Sequence, residues 1–508
     1  MIDLLPVNKF SELTAYETPE RCELSVIGAY DAAQCGLYTN GSYVRGYPFG
    51  AASILQGEMR GEDMINLQAF YDYTYSATYN TTTANNVAYW EASFEAINRY
   101  NTVIRGIATA VESGVITEDA AKNYKGELLY LRALTYHGLL IHYALPYNVT
   151  GNNNYGLPLY LTAINTPVEI EEALKIGRST VAQTYDQVLA DLNEAESLFT
   201  GDAKNAANGI TRASKGAIIA LKTRVFLHKR DWDGVKTEAA KLVTGTVAPF
   251  TSPIGGYTLT DSPATPFTSY SANSESIFSI ENGSDDNGSV NGSMAQMMTG
   301  RSGGRSLVSS SPILYNSSYW LGDDKRRNLV IYNAGTDVYH VDKYQQVTSQ
   351  ADYAPIIRYA EVLLNYAEAA LRSGDKTLAL ELLNAVRNRS LADPATQAYT
   401  AASFATDKTF LDAILWERRI EFHGEGRRWE DIHRLANDDL SPSGGIPAKI
   451  EFGNIDKESF VSGGEVKAEY YSPSRKFIPY TDKRFIWPIP QNDIVRNPTL
   501  KEQQNAGW

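Results

Sequence analysis

Residues 356–390 read IIRYAEVLLNYAEAALRSGDKTLALELLNAVRNRS. Leu364, Ala367, Ala370 and Leu371 recur at three- and four-residue steps, which places them on one face of a helix. A Ser-Gly-Asp turn follows at 373–375, and a second periodic run carries Leu378, Leu382 and Val386. Small residues where two helices must approach, with a turn after roughly 15 residues, predict a tetratricopeptide-like helix pair, whose period is about 34 residues.

The same pattern recurs outward from this pair. Residues 85–114 and 118–144 form one candidate pair, with Trp90, Phe94, Ile97, Val103 and Ile104 on the first helix and Leu128, Leu131, Tyr136 and Leu139 on the second. Residues 179–199 and 210–230 form another, and 409–435 forms a fourth that breaks at Gly424 and Gly426. The expected fold class is all-α, an α-α superhelix of such pairs. The pairs are scattered, so long insertions separate them. Residues 245–355 and 440–482 are rich in Gly, Ser, Asn, Asp and Tyr, including ENGSDDNGSVNGS and TGRSGGRS. Loops of this length are usually functional, because ordinary connections span a few residues. The expected organisation is one unit over 1–508: an N-terminal half at 1–244 with two helix pairs, a loop-rich insertion at 245–355, and further pairs with a wrapping tail at 356–508.

Composition narrows the function. The chain has 508 residues, 43% of them hydrophobic, enough for a large core. Its 46 Lys+Arg against 59 Asp+Glu give a net charge of −13, which repels a phosphate backbone, so nucleic acid is not an expected partner. Cys22 and Cys35 are the only cysteines. PERCELSVIGAYDAAQC reads as helix and sets them about 20 Å apart at 1.5 Å per residue, too far to pair. No apolar run approaches a membrane span, and the opening MIDLLPVNKF has neither a basic n-region nor an h-region. Two readings follow: a cytosolic protein, or one whose signal lies outside this sequence.

Catalytic motifs are scarce. WERRIEFHGEGRRWEDIHR, residues 416–434, sets Glu417, Glu421 and Glu425 four apart among Arg418, Arg419, Arg427 and Arg428, with His423 and His433 nearby. Matched charges of this kind predict an Arg/Glu network fixing a helix turn, in preference to a metal site or an acid/base pair. Asp285, Asp286 and Asn287 lack the spacing and terminal Glu of a calcium loop, and RSGGRS lacks the Lys-Ser/Thr of a phosphate loop. H-E-x-x-H does not occur. No catalytic residue, metal site or cofactor is expected. A glycosidase needs only two carboxylates and remains as an enzymatic rival.

Tyrosine is the compositional outlier, with 33 against 16 Phe and 7 Trp. The phenol is apolar on its faces and hydrogen-bonding at its tip, which suits half-wet surfaces. FYDYTYSATYN, residues 70–80, reads as an extended segment with Tyr71, Tyr73 and Tyr75 on one side. Tyr71 and Tyr73 are expected to pack on the first helix pair, and Tyr79, leading into NTTTANN, to face outward. A second cluster is YNSSYW at 315–320. Exposed aromatic rings stack on the apolar faces of sugars. Tyr75, Tyr79, Tyr319 and Trp320 are the expected stacking residues, with Asn85, Asn86 and Asp324 as hydrogen-bonding partners.

Five segments in order resemble the SusD/RagB family: INRYNTVIRGI (97–107), GELLYLRALTYHGLLIHYALPY (126–147), IRYAEVLLNYAEA (357–369), WERRIEFHGEGRRWEDIHRL (416–435) and the closing FIWPIPQNDIVRNPTLKEQQNAGW (485–508). The resemblance covers the chain from about residue 2 to 508. It implies four tetratricopeptide-like pairs under a loop-rich binding face, capture of nutrient glycans or, in some members, peptides, and a place over a TonB-dependent transporter of the SusC/RagA type. It implies an outer-membrane, surface-exposed lipoprotein. The chain departs from the family in having Met1 of MIDLL where members carry a lipidated Cys, so the lipid anchor is expected to lie outside this sequence. The resemblance also makes Trp90 and the carboxylates of WERRIEF packing positions, and locates ligand contacts in the loop 75–86 and the insertion around 257–345. A protein-binding scaffold is the non-catalytic rival.

Overall fold

The periodic segments form helices in the computed structural model, which describes residues 14–35, 46–150, 154–199 and 209–508. The longer helices are α1 Pro19–Cys35, α2 Ala51–Arg60, α3 Ala84–Glu112, α4 Glu118–Tyr143, α5 Val181–Leu198, α6 Lys215–Lys229, α7 Trp232–Ala239, α8 Tyr359–Arg372, α9 Lys376–Asn388, α10 Asp407–Glu421 and α11 Arg427–Arg434. Six of them start on a side-chain cap. The Thr117 side chain accepts from the Ala120 N–H, and Thr180 forms a reciprocal box with Gln183. Each helix from α3 to α7 packs on the next, and α8 packs on α6 and α7 as well as on α9 and α10. This is the all-α superhelix expected from the sequence.

The Ser-Gly-Asp turn closes the α8/α9 pair as its residues dictate. Gly374 takes a left-handed φ of +89°, and Asp375 caps α9 by accepting from Leu378 N at 3.0 Å. The α10/α11 break is tighter still. Gly426 has φ +80°, and a Cβ on Gly57 of α2 would lie 2.6 Å from its carbonyl oxygen. Backbone therefore meets backbone where α2 crosses the start of α11.

The insertions contain short ladders, which turn-rich composition had hidden. The strands around the first insertion are β1 Met64–Asn66, β2 Ser276–Ile280, β3 Val308–Ser310, β4 Val330–Asn333, β5 Val338–Val341 and β6 Ala354–Arg358. The antiparallel pairs are β1 with β3, β2 with β6, and β4 with β5. Pairing of β2 with β6 draws together the two ends of segment 281–353, so this long excursion leaves and rejoins the scaffold at one place. The tail wraps back over the N-terminal helices: Trp487 N donates to His142 O at 2.8 Å, and Arg178 donates to Gln503 O at 2.8 Å.

Apolar side chains from Cys22 to Ile489 share one contiguous core. The WERRIEF segment lies inside it as the predicted ion network. Arg358 donates to Glu421 at 2.9 Å and to Glu425 at 2.8 and 2.9 Å, and also pairs with Glu275. Arg326 holds Asp324, Glu417 and Glu421. All are buried, as are His423, His433 and Trp90. Cys22 and Cys35 are both buried on α1, and neither forms a disulfide among the described residues. No helix among the described residues is long and apolar enough to cross a membrane.

Candidate functional site

The insertion between β2 and β6 holds a broad, open cleft of about 700 Å³. Ile331 on β4 and Val347 give it an apolar floor, and Arg301, Ser302, Gln345, Gln346 and Thr348 line the rest of it with polar groups. Alternation along β4 puts Ile331 on this side and Tyr332 on the opposite face. There Tyr332 packs across the ladder on Tyr339 at 5.7 Å, and Tyr339 lies 5.0 Å from Tyr315 and 5.3 Å from Phe460.

Buried carboxylates fix this polar lining. Asp342 accepts from Arg301 Nε and Nη2 at 2.7 and 2.8 Å, a two-point clamp that fixes the guanidinium plane. Asp352 accepts from the backbone N–H groups of Gln345 and Gln346 at 3.2 and 2.8 Å and so holds their loop. Burial pushes the Asp352 carboxyl up to about 6, the two N–H bonds pull it down, and Asp342 adds to the rise. Gln296 braces the same loop by donating to Val347 O at 2.9 Å. An apolar floor with a few convergent polar groups is the general form of a small-ligand site.

The sequence-predicted contacts lie elsewhere, mostly beneath the surface. FYDYTYSATYN is helical over 69–75, not extended. A helical turn puts Tyr71 and Tyr75 on one face and Tyr73 on the other. Accordingly Tyr71 is fully buried, and Tyr73, expected to pack, is 55% exposed. Tyr75 is buried with its hydroxyl on Ile450 O at 2.7 Å. Tyr79, expected to face outward, is buried against Trp487 and Trp508, its hydroxyl bonded to Arg484 O. Asn85 and Asn86 are buried near the start of α3 and donate to Phe70 O and Asn80 O at 3.4 and 3.0 Å. Trp320 is buried with Leu314 and Ile420, under Arg327 at 4.1 Å. Asp324 is buried on Arg326. These six spend their ring faces or polar atoms inside the protein, so they do not present a sugar platform in this structure. Tyr319 is half-buried, stacked on Trp416 at 5.3 Å.

Sequence named none of Arg301, Ile331, Gln345 and Gln346 as a ligand contact, although the first three lie in the insertion around 257–345 where contacts were expected. The available signal was the polar run QQVTSQ at 345–350, beside RSGGRS in a turn-rich insertion. Truncating Tyr73 is expected to change stability by less than about 0.5 kcal/mol, since its ring is mostly in water. Urea midpoints of wild type and Tyr73→Ala check this, and a large loss would contradict the helical reading of 69–75.

Two family models match the chain. One described as "Starch-binding associating with outer membrane" matches residues 35–227, and one described as "SusD family" matches 321–508. The curated SusD-like protein P38 of Formosa agariphila is 23% identical, over 99% of this chain and 94% of its own length. The crystal structure of a SusD superfamily protein from Bacteroides fragilis superposes with a TM-score of 0.76 at 28% identity, covering 96% of this chain and 99% of the other.

The chain is SusD-like over both matched stretches.

A structure described as a laminarin-binding SusD-like protein also shares the fold, at TM-score 0.68 and 21% identity, covering 97% of this chain and all of that one. The chain shares its fold with these structures and carries its open cleft on the inserted segment. The family description associates it with the outer membrane.

Proposed function

We propose that this SusD-like protein captures an oligosaccharide at the cell surface and delivers it to a TonB-dependent outer-membrane transporter. The observation that carries the reading is the open cleft of about 700 Å³ with an Ile331/Val347 floor and the side chains of Arg301 and Gln346 around it. Sugar rings offer apolar C–H faces to such a floor and hydroxyls to such a polar lining. The starch-binding description of one matching family model and the laminarin-binding relative support a glycan over a peptide. An open cleft suits a polymer, because repeated weak contacts along one chain raise the effective affinity.

Migration through native gels cast with plant, host and microbial polysaccharides tests the reading. Retardation by one polymer class, lost or weakened in Arg301→Ala, is the expected result. A charge-assisted hydrogen bond is worth about 1.5 kcal/mol, so Arg301→Ala is expected to weaken binding roughly tenfold. Migration unchanged by every polymer, together with retardation by peptides, would move the assignment to peptide capture.

A further inference from the structure

The other insertion, 440–482, builds a second and smaller cleft against the loop that precedes α3. Four cationic side chains, Lys449, Arg475, Lys476 and Arg484, line it, and no carboxylate does. This inverts the chain's overall balance of 59 acidic to 46 basic residues. The carboxylates that pair with its arginines, Asp72 and Glu451 on Arg475 and Asp482 on Arg484, are not part of the lining.

Two of the four cations have no ion-pair partner among the described residues. Lys476 is exposed. Lys449 is 2% exposed, and its ammonium donates to the carbonyls of Met59, at 3.1 Å, and Gly61. Two acceptors leave one of its three N–H groups over. Beside them the ring of Phe477 is 50% exposed, an aromatic face left in water. Ser76 and Ser474 add hydroxyls to the same lining. An apolar ring next to uncompensated cations and hydroxyls matches a ligand with an apolar face, hydroxyls and a negative charge.

We infer that this cleft binds an acidic sugar residue, with Phe477 against the ring face and Lys476 and Lys449 on its carboxylate or sulfate. The inference rests on the glycan-binding reading above and names a substrate class for it. Burial holds the Lys449 ammonium down at about 7, against the pull of Glu62 and Asp63 and with the push of Arg60 and Arg428; Tyr75 and Arg475 complete its surroundings. A bound anion favours the charged form, so occupation takes up a proton at neutral pH.

The test is calorimetric titration of the whole chain with oligogalacturonate, a sulfated oligosaccharide and a neutral oligosaccharide of equal length, and with inorganic sulfate alone. Lys476→Ala and Phe477→Ala change exposed side chains and leave the fold intact. One acidic oligosaccharide is expected to bind on the order of tenfold tighter than the neutral one, more tightly at about pH 6 than at about pH 8.5, and more weakly as salt rises. Each substitution is expected to cost roughly three- to tenfold for the acidic ligand and nothing for the neutral one. Which acidic ligand binds tells carboxylate from sulfate. Neutral ligand bound as well as acidic, or acidic binding untouched by both substitutions, overturns the inference and leaves glycan capture standing. Inorganic sulfate matching the acidic sugar, with Phe477→Ala silent, overturns the sugar assignment. Binding of no saccharide at all removes glycan capture, and this inference with it.

Discussion

Arg358→Met is expected to destabilise the protein by about 3–5 kcal/mol, the usual cost of removing one member of a buried ion pair. Three carboxylates, Glu275, Glu421 and Glu425, converge on this guanidinium, and none is more than 3% exposed at its side chain. Burial alone would raise the carboxyls of Glu421 and Glu425, yet Arg358 and Lys343 hold Glu425 below the usual carboxylate range, and Arg389, Arg358 and Arg326 do so for Glu421. Without Arg358 these charges stay in a low-dielectric interior with fewer partners. Typical domains have only about 5–15 kcal/mol of stability in all, so the variant should unfold at a much lower urea concentration. A midpoint within error of wild type would show that the network is not what fixes the α10/α11 break. Because Arg358 ends β6, the same change also loosens the base of the cleft-bearing insertion.

Glu58→Gln is expected to do the opposite. Glu58 is buried, with Oε1 accepting from Gly426 N at 2.7 Å and Oε2 without a partner among the described residues. Burial first, then the neighbouring Asp63, pushes its carboxyl up to about 8, while Gly426 N–H and Lys343 pull the other way and Glu425 adds to the rise. The folded state therefore holds a proton that the unfolded chain, with its carboxyl at the ordinary 4.5, releases. This linkage costs nothing below pH 4.5, grows by about 1.36 kcal/mol per pH unit from there, and saturates above about pH 8. At pH 7 it amounts to about 3 kcal/mol; an additional unpartnered N–H on glutamine gives back about 1 kcal/mol. A net gain of about 2 kcal/mol at pH 7, absent at pH 4, is the expected outcome of urea titrations at the two values. Equal stability of the two proteins at pH 7 would place Glu58 in its ionised form.

The helical scaffold was legible because helix formation and burial share one period. Leu364, Ala367, Ala370 and Leu371 had to face inward together, and the Ser-Gly-Asp turn carries its own left-handed glycine and cap. The arginine and glutamate spacing of WERRIEFHGEGRRWED likewise announced an ion network, since those charges leave water only with partners.

The ligand face was not legible in the same way. Whether Tyr73 or Tyr75 meets water depended on a single choice between helix and strand over seven residues, too short a stretch for periodicity to decide. What settles it is contact with distant chain, Met297 for the Tyr71 hydroxyl and Ile450 for that of Tyr75. The candidate cleft draws on residues near 301, 331 and 346, brought together by the β2/β6 and β4/β5 ladders. Sequence by itself therefore determined the scaffold, whose information is local and periodic; tertiary structure alone decided which side chains of the inserted loops remain free to touch a ligand, because that is set by non-local packing.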